Sequence, residues 1–169
     1  MEQRKILKAF KELCTGCHIC EIVCSLKHTG TVNPALARIK VGHSEEDPLP
    51  FPVICLHCKD APCKKACPVP DAMYLDEKTG VVVINDDECI QCLACVDACP
   101  FGAIQVGPNQ EILKCDLCGG DPVCAKYCPA GPGYHFPHLP WPAQSCLQYI
   151  KPSQARKSKR LMPSKEREK

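Results

Sequence analysis

The chain has 169 residues but an aromatic content of only 5% and a single tryptophan, so few of the side chains that usually dominate a core are present. Seventeen cysteines and seventeen prolines leave two main classes, a secreted disulfide scaffold or a metal-binding protein of a reducing compartment. The net charge of +2 is unevenly placed, because residues 151–169 carry +6 and the remainder carries −4, which excludes a uniformly basic body.

The N-terminus favours the metal-binding class. Residues 1–10 contain neither the apolar stretch of a secretory signal nor a twin arginine. No run approaches the roughly 18 apolar residues that a membrane span needs. We therefore expect a cytoplasmic protein without a membrane span, whose thiols are reduced and free to ligate metal.

The predicted secondary structure is modest and is separated by stretches rich in cysteine. A strand is expected near residues 38–41, followed by a polar, proline-rich loop. Residues 73–75 and 81–84 are rich in β-branched side chains and flank turn residues, which predicts a hairpin. Residues 103–106 and 111–114 predict a second hairpin in the same way.

The C-terminal quarter predicts little regular structure. Residues 129–142 hold five prolines, which favours extended backbone and excludes a regular helix. Residues 151–169 are basic and lack any apolar periodicity, so we expect a flexible tail. This tail predicts docking to an acidic partner surface more than binding to nucleic acid, because it has no aromatic platforms.

Sixteen of the seventeen cysteines fall into four groups of four. The members are Cys14, Cys17, Cys20 and Cys24 (group one), Cys55, Cys58, Cys63 and Cys67 (group two), Cys89, Cys92, Cys95 and Cys99 (group three), and Cys115, Cys118, Cys124 and Cys128 (group four). Groups one and three have the spacing C-x2-C-x2-C-x3-C, and groups two and four widen the second gap. Proline follows the last cysteine of three groups.

This spacing is the signature of bacterial two-cluster ferredoxins, in which the first three cysteines ligate one [4Fe–4S] cluster and the fourth ligates the other. Zinc is the alternative for a Cys-x2-Cys pair and would indicate a redox-silent interaction module. Four complete sets favour iron–sulfur clusters. A disulfide lattice is disfavoured because the triplets are too tightly spaced for sensible pairing.

Crosswise ligation needs the groups to pair, and the chain order suggests how. Groups two and three are adjacent and should pair, so groups one and four should close on each other, although spacing alone does not prove this. The predicted sets are Cys14, Cys17, Cys20 and Cys128 (set A), Cys24, Cys115, Cys118 and Cys124 (set B), Cys55, Cys58, Cys63 and Cys99 (set C), and Cys67, Cys89, Cys92 and Cys95 (set D).

The four groups, with the loosened second and fourth, resemble the iron–sulfur subunits of the dimethyl sulfoxide reductase family, over about residues 5–128. The resemblance implies an α+β, loop-rich fold of two fused ferredoxin-like halves within residues 1–150, with the second pair, about 50–105, inserted between the first and fourth groups. It also implies four [4Fe–4S] clusters that relay electrons between a catalytic oxidoreductase subunit and a second redox subunit.

Similar small subunits accompany several enzymes: carbon monoxide dehydrogenase-linked hydrogenases, formate hydrogenlyases, benzoyl-CoA reductases and tungsten aldehyde oxidoreductases. The compact length and the segment from Asn33 to Ile39 resemble those of the cytosolic, ferredoxin-like members, and among these the tungsten aldehyde oxidoreductase type is the expected one. The sequence departs from the family after Cys128, where the usual closing strand is in doubt. Self-association is a further expectation, since four clusters in one small body suggest two contact ends.

The remaining candidate residues point to no catalytic site. His18 and His57 lie between cysteines and must be near clusters, either as packing residues or as groups that tune a reduction potential. His135 and His138 are expected at the surface. Cys146 is expected to be a small buried hydrophobe. No dinucleotide fingerprint, nucleotide-binding loop or catalytic triad is present, so we expect an electron-transfer subunit and not an enzyme.

Overall fold

The computed structural model describes residues 5–44, 49–129 and 145–151. The predictions for the proline-rich segment 129–142 and for the tail 151–169 lie almost entirely outside these residues.

The described part is built from short elements joined by 3-10 turns. The helices are α1 (Ile19–Thr29), α2 (Pro62–Ala66), α3 (Ala94–Asp97) and α4 (Val123–Lys126). The strands are β1 (Ile6–Ala9), β2 (Lys40–Gly42), β3 (Phe51–Val53), β4 (Met73–Asp76), β5 (Val81–Ile84), β6 (Ile104–Val106), β7 (Ile112–Lys114) and β8 (Leu147–Ile150).

The strands form antiparallel pairs, β1 with β8, β2 with β3, β4 with β5 and β6 with β7. Both predicted hairpins are confirmed, with Met73 opposite Ile84 in one and Ile104 opposite Lys114 in the other. The strand expected near residues 38–41 begins two residues later, as β2. Short helices and small antiparallel sheets make the fold α+β and loop-rich.

Strands β1 and β8 form a ribbon at the two ends of the described chain, whereas the position directly after Cys128, where the usual closing strand is in doubt, lies almost entirely outside the described residues. Ile6 lies opposite Ile150, and the N–H of Phe10 donates to the carbonyl oxygen of Cys146 at 2.8 Å. Leu7 and Leu147 are both buried on the inner face of this ribbon. The first and last described strands therefore lie together, on the side of the molecule that carries the first cysteine group.

Helix α1 is the longest described helix, and its residues explain its bounds. His18 precedes it in a left-handed conformation, and Gly30 ends it at φ 72°, where its N–H donates to the carbonyl of Leu26 at 3.0 Å. Cys20 and Cys24 are one turn apart and share its buried face. Helices α2 to α4 are single turns, which are not stable alone in water, so their packing around the cysteines must hold them.

The buried side chains form two cores. The first core is formed by β1, α1, α4 and β8, and its members include Leu7, Cys20, Ile39, Leu117, Cys124, Cys128 and Leu147. The second core is formed by α3 and the two hairpins, and its members include Cys55, Met73, Cys95, Cys99 and Ile104. Cys115 packs against both cores. The first core gathers cysteines of groups one and four, and the second gathers groups two and three, whereas the division into ferredoxin-like halves stays a prediction.

Candidate iron–sulfur centres

The cysteines of set A surround one cavity in the first core. Residues from two distant parts of the chain line this cavity: Cys14, Cys17 and Cys20 from group one, and Cys128 from group four. Helix α1 positions Cys20 in its first turn, and Cys128 follows α4, which packs against α1. The fold therefore brings together residues more than 100 positions apart that were predicted to share a cluster.

The cysteines of sets C and D surround two further cavities. One is lined by Cys55, Cys58, Cys63 and Cys99, which are the members of set C. Another is lined by Cys67, Cys89, Cys92 and Cys95, which are the members of set D. Each set contains one cysteine from the other group, Cys99 in set C and Cys67 in set D. These cysteines reach the other set because helices α2 and α3 pack against each other.

The cysteines of set B meet where α1 and α4 pack together. Cys24 lies on the buried face of α1, and Cys124 lies on α4. After burial, the charges of Cys115, Cys118 and Cys24, followed by Cys20 of set A, raise the pKa of Cys124, which indicates that the thiols of set B lie near one another and next to set A. All four predicted sets are thus brought together, while the ligand role of each cysteine stays a prediction.

One backbone feature recurs in all four groups. The residue immediately before the second cysteine adopts a left-handed conformation in every case: Gly16 (φ 67°), His57 (φ 47°), Gln91 (φ 56°) and Leu117 (φ 57°). Left-handed backbone is unfavourable for residues other than glycine, by about 1–2 kcal/mol, so it persists only where the surroundings demand it. Successive right- and left-handed residues turn backbone N–H groups into one concavity, a nest that is typical of iron–sulfur and phosphate sites.

Backbone N–H groups also donate directly to cysteine sulfurs. The N–H of Arg38 donates to Sγ of Cys24 at 3.3 Å, and the N–H of Ala103 donates to Sγ of Cys99 at 3.4 Å. Such hydrogen bonds stabilise negative charge on a ligating sulfur and are one of the means by which a protein sets a cluster potential. The residues present therefore fit anionic iron–sulfur clusters at these positions.

Several of the buried thiols are unsuited to be free anions. Burial raises the pKa of Cys20, Cys115 and Cys124, and it raises the pKa of Cys95 to about 11. Metals are ligated by thiolate, so a bound metal must displace these protons. Buried thiols that lie close together are costly to ionise alone. The positive charge of an iron–sulfide core would offset this cost, because the core is ligated by thiolates.

Cys146 is the seventeenth cysteine, and it lines the set A cavity together with the four predicted ligands. It is 4% exposed, so the expectation of a buried residue is confirmed. A hydrogen bond from its thiol lowers the pKa of Cys14 to about 6 and raises the pKa of Cys146 itself. No spacing pattern in the sequence predicts that Cys146 lies beside a ligand set.

The two histidines expected near clusters differ in environment. His18 lines the set A cavity with its side chain 47% exposed, and its Nδ1 lies 2.8 Å from a carboxylate oxygen of Glu21. The other oxygen of Glu21 accepts from the N–H of Val41 at 2.8 Å, which joins α1 to β2. His57 is buried in the set C cavity, and its Nδ1 is 3.8 Å from Sγ of Cys55. His135 and His138 lie outside the described residues.

Sequence reasoning missed a polar cluster beside set B. His28 Nε2 lies 3.8 Å from Sγ of Cys118 and 3.5 Å from a carboxylate oxygen of Asp116. Arg38 pairs with the other oxygen of Asp116 at 2.9 Å. Asp116 also accepts from the N–H of Cys118 at 2.8 Å, so it orients the loop that carries a predicted ligand.

The sets differ in their access to solvent. Cys17 of set A and Cys92 of set D are exposed, whereas every predicted ligand of sets B and C is at least partly buried. Cys115 of set B packs against both cores and interacts electrostatically with Cys55 of set C. Sets A and D therefore each have one predicted ligand at the surface, and Cys115 brings set B next to set C.

Comparison with known proteins finds [4Fe–4S] domains in the cysteine-rich part of the chain. Residues 47–135 match a 4Fe-4S dicluster domain, and residues 11–30 match a 4Fe-4S binding domain. The chain belongs to the 4Fe-4S dicluster domain family. Membership shows that this chain is an iron–sulfur protein of the [4Fe–4S] type, and its ferredoxin-type relatives agree with the prediction of an electron-transfer subunit.

Several relatives belong to oxidoreductase systems. The polyferredoxin-like subunit of an aliphatic sulfonate oxidoreductase from Pyrococcus furiosus is 44% identical over 116 residues, which cover 68% of this chain and 66% of that subunit. Formate hydrogenlyase subunit 2 of Escherichia coli is 31% identical over 155 residues, covering 69% of this chain and 74% of the relative. A benzoyl coenzyme A reductase active-site complex superposes with a TM-score of 0.41 at 23% identity over 73% of this chain and 71% of that chain, a likeness too loose to support an argument.

The chain spans about two thirds of the length of the sulfonate oxidoreductase subunit. Among the described residues, no helix has the length and apolar character needed to cross a bilayer. The longest described helix, α1, has eleven residues.

Proposed function

We propose that this chain carries four [4Fe–4S] clusters, ligated by sets A to D, and relays single electrons between a catalytic oxidoreductase subunit and a second redox partner. The observation that carries the proposal is the lining of three separate cavities by complete predicted sets, A, C and D. The electrostatic coupling among the thiols of set B supports the fourth.

The protein's own residues hold the clusters, donate hydrogen bonds to their ligands and exclude water from them. When bound, each cluster accepts or releases one electron, and the chain holds it in place. The left-handed residues would turn backbone N–H groups towards the bound anion, and the N–H groups of Arg38 and Ala103 donate to the sulfurs of Cys24 and Cys99. The two cores exclude water from the buried sulfurs, and the local dipoles and charges then set the potential of each cluster.

We infer the order A–B–C–D for the four clusters, which would give the chain two ends. Sets A and B share helices α1 and α4, sets C and D share α2 and α3, and Cys115 lies between the two pairs. The exposed Cys17 and Cys92 mark the ends at which electrons would enter and leave. Beside Cys92, the side chain of Ile90 is 64% exposed, which suits a surface that a redox partner covers.

Two classes of enzyme are candidates for the catalytic partner. The sequence favours a tungsten aldehyde oxidoreductase, and the 44% identity to a subunit of an aliphatic sulfonate oxidoreductase makes an enzyme acting on sulfonates the second candidate. Both would use this chain in the same way, as the carrier of electrons to or from the enzyme. The 31% identity to a formate hydrogenlyase subunit supports the broader class of partner.

The proposal is tested by native anaerobic purification followed by analysis of the metal and of the proteins that come with the chain. We expect about sixteen iron atoms per chain, four for each cluster, with matching acid-labile sulfide. We also expect a co-purifying catalytic subunit, whose tungsten content and aldehyde or sulfonate turnover separate the two candidates. About eight irons per chain would contradict the four clusters, and zinc in place of iron would contradict the iron–sulfur chemistry. A free chain without partners would contradict the role as a subunit.

A further inference from the structure

Lys114 is buried, in contrast to every other described lysine. It ends β7 and is 5% exposed, whereas the other described lysines are partly or fully in solvent. Its Nζ donates to the carbonyl oxygen of Val82 on the neighbouring hairpin and, at 3.4 Å, to that of Cys115. Lysine is rarely buried unless its charge is paired, so this position needs an explanation.

The hydrogen bonds of Lys114 do not neutralise its charge. Both acceptors are neutral carbonyl groups, and none of the ion pairs found within residues 5–44, 49–129 and 145–151 includes Lys114. On its outer side, Lys114 shares an open cavity with Asp76, Asp86 and Asp116. Asp76 accepts from the N–H of Thr79, Asp116 pairs with Arg38, and Asp86 is exposed, so their charges are bound elsewhere or screened by water.

On its inner side, Lys114 lines the cavity that holds the four cysteines of set C. Burial raises the pKa of Cys63 in that set, and the charge of Lys114 acts in the opposite direction, so the ammonium and the sulfur are electrostatic neighbours. The next residue along the chain, Cys115, belongs to set B. The ammonium group therefore lies at the junction of the two central ligand sets.

We propose that Lys114 is the buried countercharge of the two central clusters and raises the reduction potential of the set C cluster above that of the others. A cluster gains one negative charge on reduction, and a fixed cation in a low-dielectric interior stabilises that form more than the oxidised one. An electron on the chain would then rest in its middle, away from both exposed ends. This inference rests on the proposed ligand sets.

The test is a set of charge variants in the full chain, purified anaerobically. Lys114→Met and Lys114→Gln remove the charge, and Lys114→Arg keeps it. Lys59→Met is the matched control, because Lys59 lines the same cavity but is exposed. The readouts are iron per chain and the midpoint potentials from a redox titration followed by electron paramagnetic resonance.

In both neutral variants we expect the highest of the one-electron midpoints, that of the set C cluster, to fall by at least 59 mV, a tenfold change in the ratio of reduced to oxidised cluster, with iron unchanged. Lys114→Arg and Lys59→Met should shift every midpoint by less than half of this. Equal shifts in the Lys114→Met and Lys59→Met proteins would overturn the inference. Loss of iron from both neutral variants would assign Lys114 a structural role and would also overturn it. Fewer than four clusters in the unaltered chain would instead contradict the proposed function.

Discussion

Two double variants that share the substitution Cys17→Ala distinguish two ways of ligating the clusters. In crosswise ligation the fourth cysteine of each group binds the cluster of another group, whereas in the alternative each group binds its own cluster. Cys17→Ala is combined either with Cys128→Ala or with Cys24→Ala. In the proposed sets, Cys17 and Cys128 belong to the same cluster, although they come from groups one and four. Cys17 and Cys24 come from one group but belong to different clusters.

The expected losses of iron follow from these sets. Each cluster holds four irons of about sixteen per chain. The Cys17/Cys128 variant should lose about four irons, no more than Cys17→Ala alone, because both changes affect set A. The Cys17/Cys24 variant should lose about eight, because sets A and B both lose a ligand.

The two double variants are matched in their cost to packing. Cys24 is 6% exposed and Cys128 is 9% exposed, so each truncation removes a similar buried sulfur, at about 1 kcal/mol. Cys17 is exposed and contributes little to either core. A difference in iron content between the variants therefore reports shared ligation and not general destabilisation.

The assay is iron and acid-labile sulfide per chain after anaerobic purification, with the three single variants measured alongside. If each group ligated its own cluster, the order would be inverted, with about eight irons lost from the Cys17/Cys128 variant and about four from the Cys17/Cys24 variant. That inversion would refute the nested pairing and, with it, the order of the clusters.

Three further variants test individual features. Cys146→Ala should keep all the iron while Cys14→Ala loses about a quarter of it, and the reverse would make Cys146 the fourth ligand of that set. Gly16→Ala should lower the unfolding free energy of the loaded protein by about 1–2 kcal/mol, because a side chain at φ 67° is strained and its Cβ would lie 3.1 Å from a proline ring. An unchanged thermal midpoint would contradict that reading. Glu21→Ala should cost about 1–3 kcal/mol in denaturant unfolding, because it leaves the N–H of β2 without its acceptor, whereas the exposed Glu12→Ala should cost under about 0.5. Equal effects of these two changes would remove Glu21 as the link between α1 and β2.

Local patterns predicted the parts of the fold that local interactions determine. The hairpins β4–β5 and β6–β7 join strands that are close in sequence, and their β-branched residues and turn residues are visible in a single window. The pairing of β1 with β8 was not predictable in this way. It joins the two ends of the described chain across a proline-rich segment, and no local signal selects that partner.

The groups of cysteines were evident from spacing because the ligand pattern is itself local. The left-handed residues were not, since His57, Gln91 and Leu117 are not residues that mark this conformation, and the site imposes it. Lys114 illustrates the same limit. A lysine at the end of a strand is ordinarily exposed, and only the packing of one hairpin against the other buries it.

Coulometric reduction of the anaerobically purified chain tests the central claim most directly, because it counts electrons without assigning them to a cluster. Four clusters that each accept one electron predict about four electrons per chain, taken up and returned reversibly, with about sixteen irons present. An uptake of about two electrons per chain or fewer in a protein that retains this iron would contradict the account.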